Sequence, residues 1–306
     1  YSLNAESLSE VRRISNISRE KRSVMGVALR LNPEFHIDGA VVKMGGGSQK
    51  FGIDTELLPE ILDEVAPIPN IHFNGVHFFS ATGILNQEEF LRNLENCFGL
   101  AELVNEHYPV LDLDVGGGLG IPYKDGEVDL SITGISDRIR ILFDRYRFLR
   151  DNKTRIIIEP GRYLVGQSGV YVSKVEYTKV SRGRNIVLTN GGIHQLLRPV
   201  LLGSDHPTFN LSRSSKRRSL YDIGGTLCTS IDFLARAVEL PTDTQEGDLI
   251  AVFCSGAYGY TESMPWFLSH GMPSEVLVHD GKYSEIREPT TPEEILRKQK
   301  IPIELL

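Results

Sequence analysis

The sequence predicts an α/β architecture: a (β/α)8 barrel, of which about five βα units are present, followed by a C-terminal all-β domain. Three observations carry that prediction. Up to about residue 165, short apolar runs alternate with amphipathic helical patterns, as parallel strands covered on both faces do. The chemically suggestive residues cluster just after those runs, at 77–83, 116–120 and 159–162, and barrel active sites lie at the carboxyl ends of the strands. Beyond residue 165 the period switches to two, with turn residues between short runs. The domains are therefore drawn at 1–165 and 166–306.

In the first domain, residues 2–5 read as a strand, and Ser7 caps a helix with Leu8, Val11 and Ile14 on one face. Glu10 completes a capping box. A second strand is expected over 25–31, then a glycine-rich loop over 44–47. A helix over 55–65 would turn Leu57, Leu58, Ile61 and Val65 inward, with Pro59 in its first turn. A third strand covers 73–79. Asn86, with an acid three residues on at Glu89, caps a helix whose Phe90, Leu91, Leu94, Cys97, Phe98, Ala101 and Val104 form a core stripe. Leu111, Leu113 and Val115 give a fourth buried strand, 135–149 a helix, and 155–158 a fifth strand.

In the second domain, strands are expected over 170–180, 185–189, 219–222, 248–253, 275–279 and 283–287. Helix is confined to 229–236 and to a turn near 292–299.

The chain has 306 residues, 41% hydrophobic and 24% charged, with a net charge of -7. That balance argues against nucleic acid or an anionic membrane as main partner. The basic segment 212–219 is too short for a nucleic-acid patch and reads as a solvated loop. No run of about 18 apolar residues offers a membrane span. Three scattered cysteines, Cys97, Cys228 and Cys254, have no zinc spacing and fit a reducing cytoplasm.

Gly116, Gly117 and Gly118 end the fourth strand with bare backbone, which serves either a tight turn or a phosphate cradle. Arg162 offers a guanidinium for phosphate or carboxylate. Glu159 reads alone as a salt-bridge partner. Beside a phosphate cradle, a carboxylate can hold a pyridine nitrogen protonated. Tyr258 could supply a phenol to the same phosphate. Cys228 precedes an expected helix, where a thiol pKa tends to fall; otherwise it is a small buried hydrophobe.

Strand-end GGG, then EPGR, then Cys-x-x-x-Asp-Phe, then GAY, in this order, resemble the fold-type III pyridoxal-phosphate decarboxylases, relatives of diaminopimelate and ornithine decarboxylase. The resemblance covers essentially the whole chain. It implies pyridoxal 5'-phosphate as cofactor, no metal, and a homodimer whose active sites are each completed by the partner subunit. Carried over by motif, Gly116, Gly117, Gly118, Gly161, Arg162 and Tyr258 would bind the cofactor, with Glu159 at the pyridine nitrogen. Arg162 and Arg198 would hold phosphate or substrate carboxylate. Cys228 would return a proton to the substrate carbon in the other subunit's site.

Three departures refine this. Where the family has GxHxHxGS, the chain has 75–82 as GVHFFSAT. Phe79 thus takes the stacking position and Thr82 the phosphate-binding hydroxyl, while His77 reads as a satisfied core histidine. Thr229 follows Cys228 where relatives acting on diamino acids place a carboxylate for the distal ammonium, a contact worth ~1.5–3 kcal/mol. RPVLLG (198–203) also lacks the Tyr those relatives carry. These changes resemble a branch that includes exosortase-associated decarboxylases and those acting on aminoacyl groups tethered to an acyl carrier protein.

Finally, the family's cofactor-binding lysine is expected upstream of Tyr1, which would open the fourth barrel strand. Neither Lys43 nor Lys50, both read as loop residues, is assigned that role. The activity implied is decarboxylation of an L-amino acid or a carrier-tethered aminoacyl group. A diaminopimelate decarboxylase and an inactive homologue acting by protein binding are the alternatives. A racemase is disfavoured by Glu159, since alanine racemase relatives place an Arg at the ring nitrogen.

Overall fold

The computed structural model describes residues 2–34, 42–43, 47–124 and 126–305. The expected glycine-rich loop, apart from Gly47, lies outside them. Two units separate by their contacts: Tyr1–Pro122 with Glu127–Leu164, and Tyr123–Gly126 with Val165–Leu306.

In the first unit, strands β1 (Ser2–Ala5), β2 (Met25–Asn32), β3 (Ile71–Phe78), β4 (Asp112–Asp114) and β5 (Arg155–Ile157) pair in sequence order, all parallel. Each strand thus lies beside its sequence neighbour, the arrangement a βα barrel uses. Helices α1 (Leu8–Glu20), α2 (Leu58–Val65), α3 (Gln87–Asn105) and α4 (Thr133–Arg145) make the crossovers. Val27, Leu29, Val76, Phe78 and Leu113 form the strand side of the core, and Val11, Leu62, Leu94 and Phe98 the helix side. Each such side chain contributes about 1.5–3 kcal/mol when fully buried.

Local signals set the helix starts. The Ser7 hydroxyl accepts the Glu10 amide at 3.3 Å, while the Glu10 carboxylate reaches one residue further back, to the Glu6 amide at 2.6 Å. At α3, Asn86 Oδ1 accepts the amides of Glu88 and Glu89 at 2.8 and 3.2 Å, satisfying two of the helix's orphan donors. The whole predicted stripe of α3 is buried.

Four expectations in this unit need correction. Residues 55–57 form a 3-10 turn, and α2 starts only at Leu58 with Pro59 in its first turn. That register buries Leu58, Leu62 and Val65, at i, i+4 and i+7, and leaves Leu57 exposed. The helix expected over 135–149 ends at Arg145, and Phe148–Asp151 forms a separate short helix. One continuous helix would hold neighbouring residues about 100° apart; the break lets both Phe148 and Leu149 reach the core. Leu111 lies outside β4 and is exposed, whereas Asp112 and Asp114 are buried on the face opposite Leu113. Lys43 lies not in a loop but in the short strand Val42–Lys43, antiparallel to Ala81–Thr82.

In the second unit, β6 (Tyr171–Ser181), β7 (Arg184–Thr189), β8 (Thr208–Asn210), β9 (Arg218–Gly224), β10 (Phe233–Pro241) and β11 (Leu249–Val252) make one sheet in the order β8-β11-β6-β7-β9-β10. The β7–β9 pair is parallel; the others are antiparallel. A hairpin of β12 (Glu275–His279) and β13 (Lys282–Arg287) follows.

The helix expected over 229–236 is absent. Residues 229–232 turn, and β10 begins at Phe233. Register shifts against β9 and the positive φ of Ala237, whose amide donates to Asp222 Oδ1 at 2.9 Å, break strict alternation. The apolar residues therefore recur at helix-like spacing along a bulged strand. No helix among the described residues is long and apolar enough to cross a membrane.

Candidate active site

The carboxyl ends of β3, β4 and β5 converge because β4 runs into glycine. A Cβ on Gly116, whose φ is +71°, would stand 2.4 Å from the Phe78 carbonyl oxygen and 3.0 Å from the Phe79 ring. A Cβ on Gly117 would stand 2.3 Å from the Glu159 carbonyl oxygen. Bare backbone lets the Glu159 amide donate to Gly116 O at 2.9 Å. Gly118 takes φ +97°. The Gly116 amide donates to Asp114 Oδ1 at 2.9 Å. The Gly117 and Gly118 amides are buried and meet no acceptor among the described residues. Buried unpaired N–H groups cost about 1–3 kcal/mol each, and an anion is a ligand that could satisfy such donors.

Strand register brings the charged groups together. Arg30 on β2 lies opposite His77 on β3, and His77 opposite Asp114 on β4. Glu159 follows the end of β5. His77 is 5% exposed, with no hydrogen-bond partner on either ring nitrogen among the described residues, and its Nε2 lies 3.9 Å from Glu159 Oε2. The expectation of a satisfied core histidine is thus half corrected: the ring is buried but unsatisfied. Burial, reinforced by the Arg30 cation, pushes its pKa down to about 4, so it is neutral at pH 7. Burial and then the Asp114 charge raise the Glu159 pKa, against the pull of Arg30. Asp114 is itself raised by burial, opposed by the Gly116 amide and Asn4.

Phe79 is half-buried just past β3, with the Arg30 guanidinium 5.9 Å from its ring and 4.5 Å from that of Phe51. Arg30 also pairs with Glu6. Thr82 is half-buried, and the nearby Ser80 hydroxyl is buried without a partner among the described residues. Gly161 opens the short helix Gly161–Val165, where an added Cβ would meet nothing within 4 Å; Arg162 beside it is half-buried. Lys50 is exposed, its Nζ 4.7 Å from the Phe51 ring.

Cys228, Thr229, Arg198 and Tyr258 belong to the second unit. Cys228 is exposed in the turn before β10, so neither the helix terminus nor the buried hydrophobe expected for it is found. Its loop is held by Asp232, whose buried carboxylate accepts the amides of Ile193 at 2.8 Å and Leu227 at 2.7 Å. Arg198 is buried, donates to Glu262 at 3.1 Å, and sits 5.6 Å from the Tyr123 ring and 5.9 Å from that of Tyr258. Tyr258 is 53% exposed, at φ +65°. Sequence reasoning missed Arg30, Asp114, Asp232 and Glu262 as parts of these arrangements. The alternation of Asp112 and Asp114 with apolar neighbours was the available signal for one of them.

Unpaired strand-end amides beside a half-buried carboxylate are suited to a ligand that carries both an anionic group and a protonated nitrogen. Residues 1–166 match the family described as pyridoxal-dependent decarboxylase, pyridoxal binding domain. The chain belongs to this family. An L-glutamyl-[BtrI acyl-carrier protein] decarboxylase of Niallia circulans is 33% identical over 98% of the chain and 72% of its own length. A diaminopimelate decarboxylase of Methanothermobacter thermautotrophicus is also 33% identical, over 99% of the chain and 71% of its own length. The crystal structure of the M. jannaschii diaminopimelate decarboxylase superposes with a TM-score of 0.89 at 27% identity, covering all of this chain and 70% of that one. The fold is accordingly the barrel plus β-domain of these enzymes, and the cofactor of this carboxy-lyase is pyridoxal phosphate. The residues present fit that group: two orphan amides and a hydroxyl suit a phosphate, and a carboxylate with one weakly engaged oxygen suits a ring nitrogen.

Proposed function

We propose that this decarboxylase acts on an aminoacyl group tethered to a carrier protein, not on a free diamino acid. The supporting observation is the Cys228 loop. Thr229 offers only a neutral hydroxyl, and the nearby Asp232 carboxylate is turned inward onto two backbone amides. The loop therefore holds no charge for a distal ammonium. Since the α-carboxylate is the group lost, the tether would run through a side-chain carboxyl; the Niallia circulans relative is named for a glutamyl group on an acyl-carrier protein.

Pyridoxal phosphate, when bound, supplies a sink for the electron pair left as carbon dioxide departs. In this reading Gly117, Gly118, Thr82 and Arg162 would hold its phosphate, Phe79 would pack on its ring, and Glu159 would keep the ring nitrogen protonated. Arg198, already paired with Glu262, braces Tyr258. The Cα–carboxylate bond breaks, and a proton from Cys228 Sγ forms the new C–H bond. Cys228 acts from the partner subunit of a homodimer; its exposure on its own chain suits that role.

The test is carbon dioxide release by the full-length holoenzyme from a carrier-bound glutamyl thioester and from meso-diaminopimelate. Preference for the thioester by at least about 100-fold in kcat/KM is expected. Thr229→Glu should raise turnover of diaminopimelate by about 10- to 100-fold, as a charge-assisted contact of ~1.5–3 kcal/mol implies. Equal or better use of diaminopimelate by the unaltered enzyme would overturn the reading.

A further inference from the structure

The ring of His77 is a buried polar group that the decarboxylation scheme above does not use. Both its nitrogens lack partners among the described residues, although a neutral imidazole must carry one N–H. The groups facing it are Arg30 from β2, Asp114 from β4 and Glu159 beyond β5. Asn4 of β1 stands behind Asp114, and Glu6 behind Arg30. Arg30 cannot accept a hydrogen bond, and Asp114 Oδ1 already accepts the Gly116 amide. Glu159 Oε2 is 3.9 Å from Nε2, and the Glu159 side chain is 43% exposed. A swing of about 1 Å by that carboxylate would bring the pair to hydrogen-bond distance.

We propose that His77 is a positioning residue that donates its Nε2–H to Glu159 and so holds that carboxylate, charged and oriented, toward the ring nitrogen of the cofactor. The inference rests on the reading that Glu159 faces that nitrogen. Its physical content is a balance. Burial and Asp114 favour the protonated form of Glu159, which would leave the ring nitrogen without its proton. A hydrogen bond donated to the carboxylate favours the charged form instead. A neutral donor suits the task, because a second full charge beside Arg30 would be opposed. The ligand atoms of His77, Asp114 and Glu159 also lie within 4.8 Å of one another. A metal cation there would meet the Arg30 charge and an aspartate already engaged, so hydrogen bonding is the better use of the cluster.

The test compares His77→Leu, His77→Gln and Glu159→Gln with the unaltered full-length holoenzyme. The readouts are the pH midpoint of the bound-cofactor absorbance change and the affinity of the cofactor-free protein for pyridoxal phosphate. His77→Leu is expected to shift the midpoint by about one pH unit, a tenfold change in the proton equilibrium, and to lower kcat with KM nearly unchanged. His77→Gln, which keeps an N–H donor, should restore the midpoint. Nitrogen NMR of the unaltered holoenzyme, with His77 assigned through the Gln variant, should show a neutral ring protonated on Nε2 at pH 7. A midpoint moved by Glu159→Gln but not by His77→Leu would overturn the inference and leave the reading of Glu159 standing. A midpoint unmoved by Glu159→Gln would overturn both. An imidazolium at pH 7 would overturn the inference even if the Leu variant failed to fold.

Discussion

At Gly117 a single methyl group would stand 2.3 Å from the Glu159 carbonyl oxygen, closer than any real carbon can approach. Gly117→Ala must therefore push the end of β4 away from β5, carrying the two orphan amides and Glu159 with it. Loss of pyridoxal phosphate affinity by at least about tenfold is expected, with a stability loss of about 1–3 kcal/mol, the range for overpacking. Fluorescence titration of the cofactor and denaturant unfolding would measure both. Gly161→Ala is the contrast, since its added Cβ meets nothing within 4 Å of protein. Any loss of affinity there without a loss of stability would report on the cofactor alone. The sequence singled out both glycines but could not separate them. Close approach to a neighbouring strand and open space read alike in one dimension.

The loop before β10 shows what an element can hide. Its apolar spacing mimics a helix, yet Phe233–Pro241 pairs with β9 along a bulged register. Asp232 decides the local structure by accepting two amides with one buried carboxylate. Asp232→Asn would put an N–H where an acceptor is needed and leave a buried donor unpaired. A stability loss of about 1–3 kcal/mol is expected, together with faster alkylation of Cys228 as its loop loosens. Unchanged alkylation and unchanged unfolding would show that Asp232 does not hold the loop. The strand-end motifs were legible in the sequence because they are local. The partner strand that overrides helical spacing was not, because it is a tertiary fact.

For the whole molecule, two features predict bulk behaviour. Burial holds His77 and His194 at pKa values of about 4, below the usual 6.5. Between those values the unfolded chain binds protons that the native chain refuses, so these two histidines lower stability as pH drops from about 6.5 toward 4, while the raised Asp114 and Glu159 carboxyls act in the opposite sense at the acid end. Thermal unfolding from pH 7 to 5.5 should show a falling midpoint, and His194→Gln should flatten that slope. A slope unchanged by the variant would show that His194 titrates normally in the fold. The second feature is the exposed Cys228. Mixing inactive Glu159→Gln and Cys228→Ala proteins should recover about a quarter of the activity, if sites are shared across a two-fold dimer. No recovery on mixing would place Cys228 in its own chain's site.

The sequence by itself determined the parallel strands, the caps at Ser7 and Asn86, the glycine triplet and the ordered motifs of the pyridoxal-dependent decarboxylases. Each rests on spacing within a few residues, where chain geometry leaves little choice. Only the tertiary structure decided that the Gly116 amide donates to Asp114 while those of Gly117 and Gly118 meet no acceptor among the described residues. It alone turned 233–241 into a strand and brought His77, from β3, beside Glu159, beyond β5. Burial, register and approach between strands far apart in sequence set these outcomes, and such quantities come into being only when the strands pack.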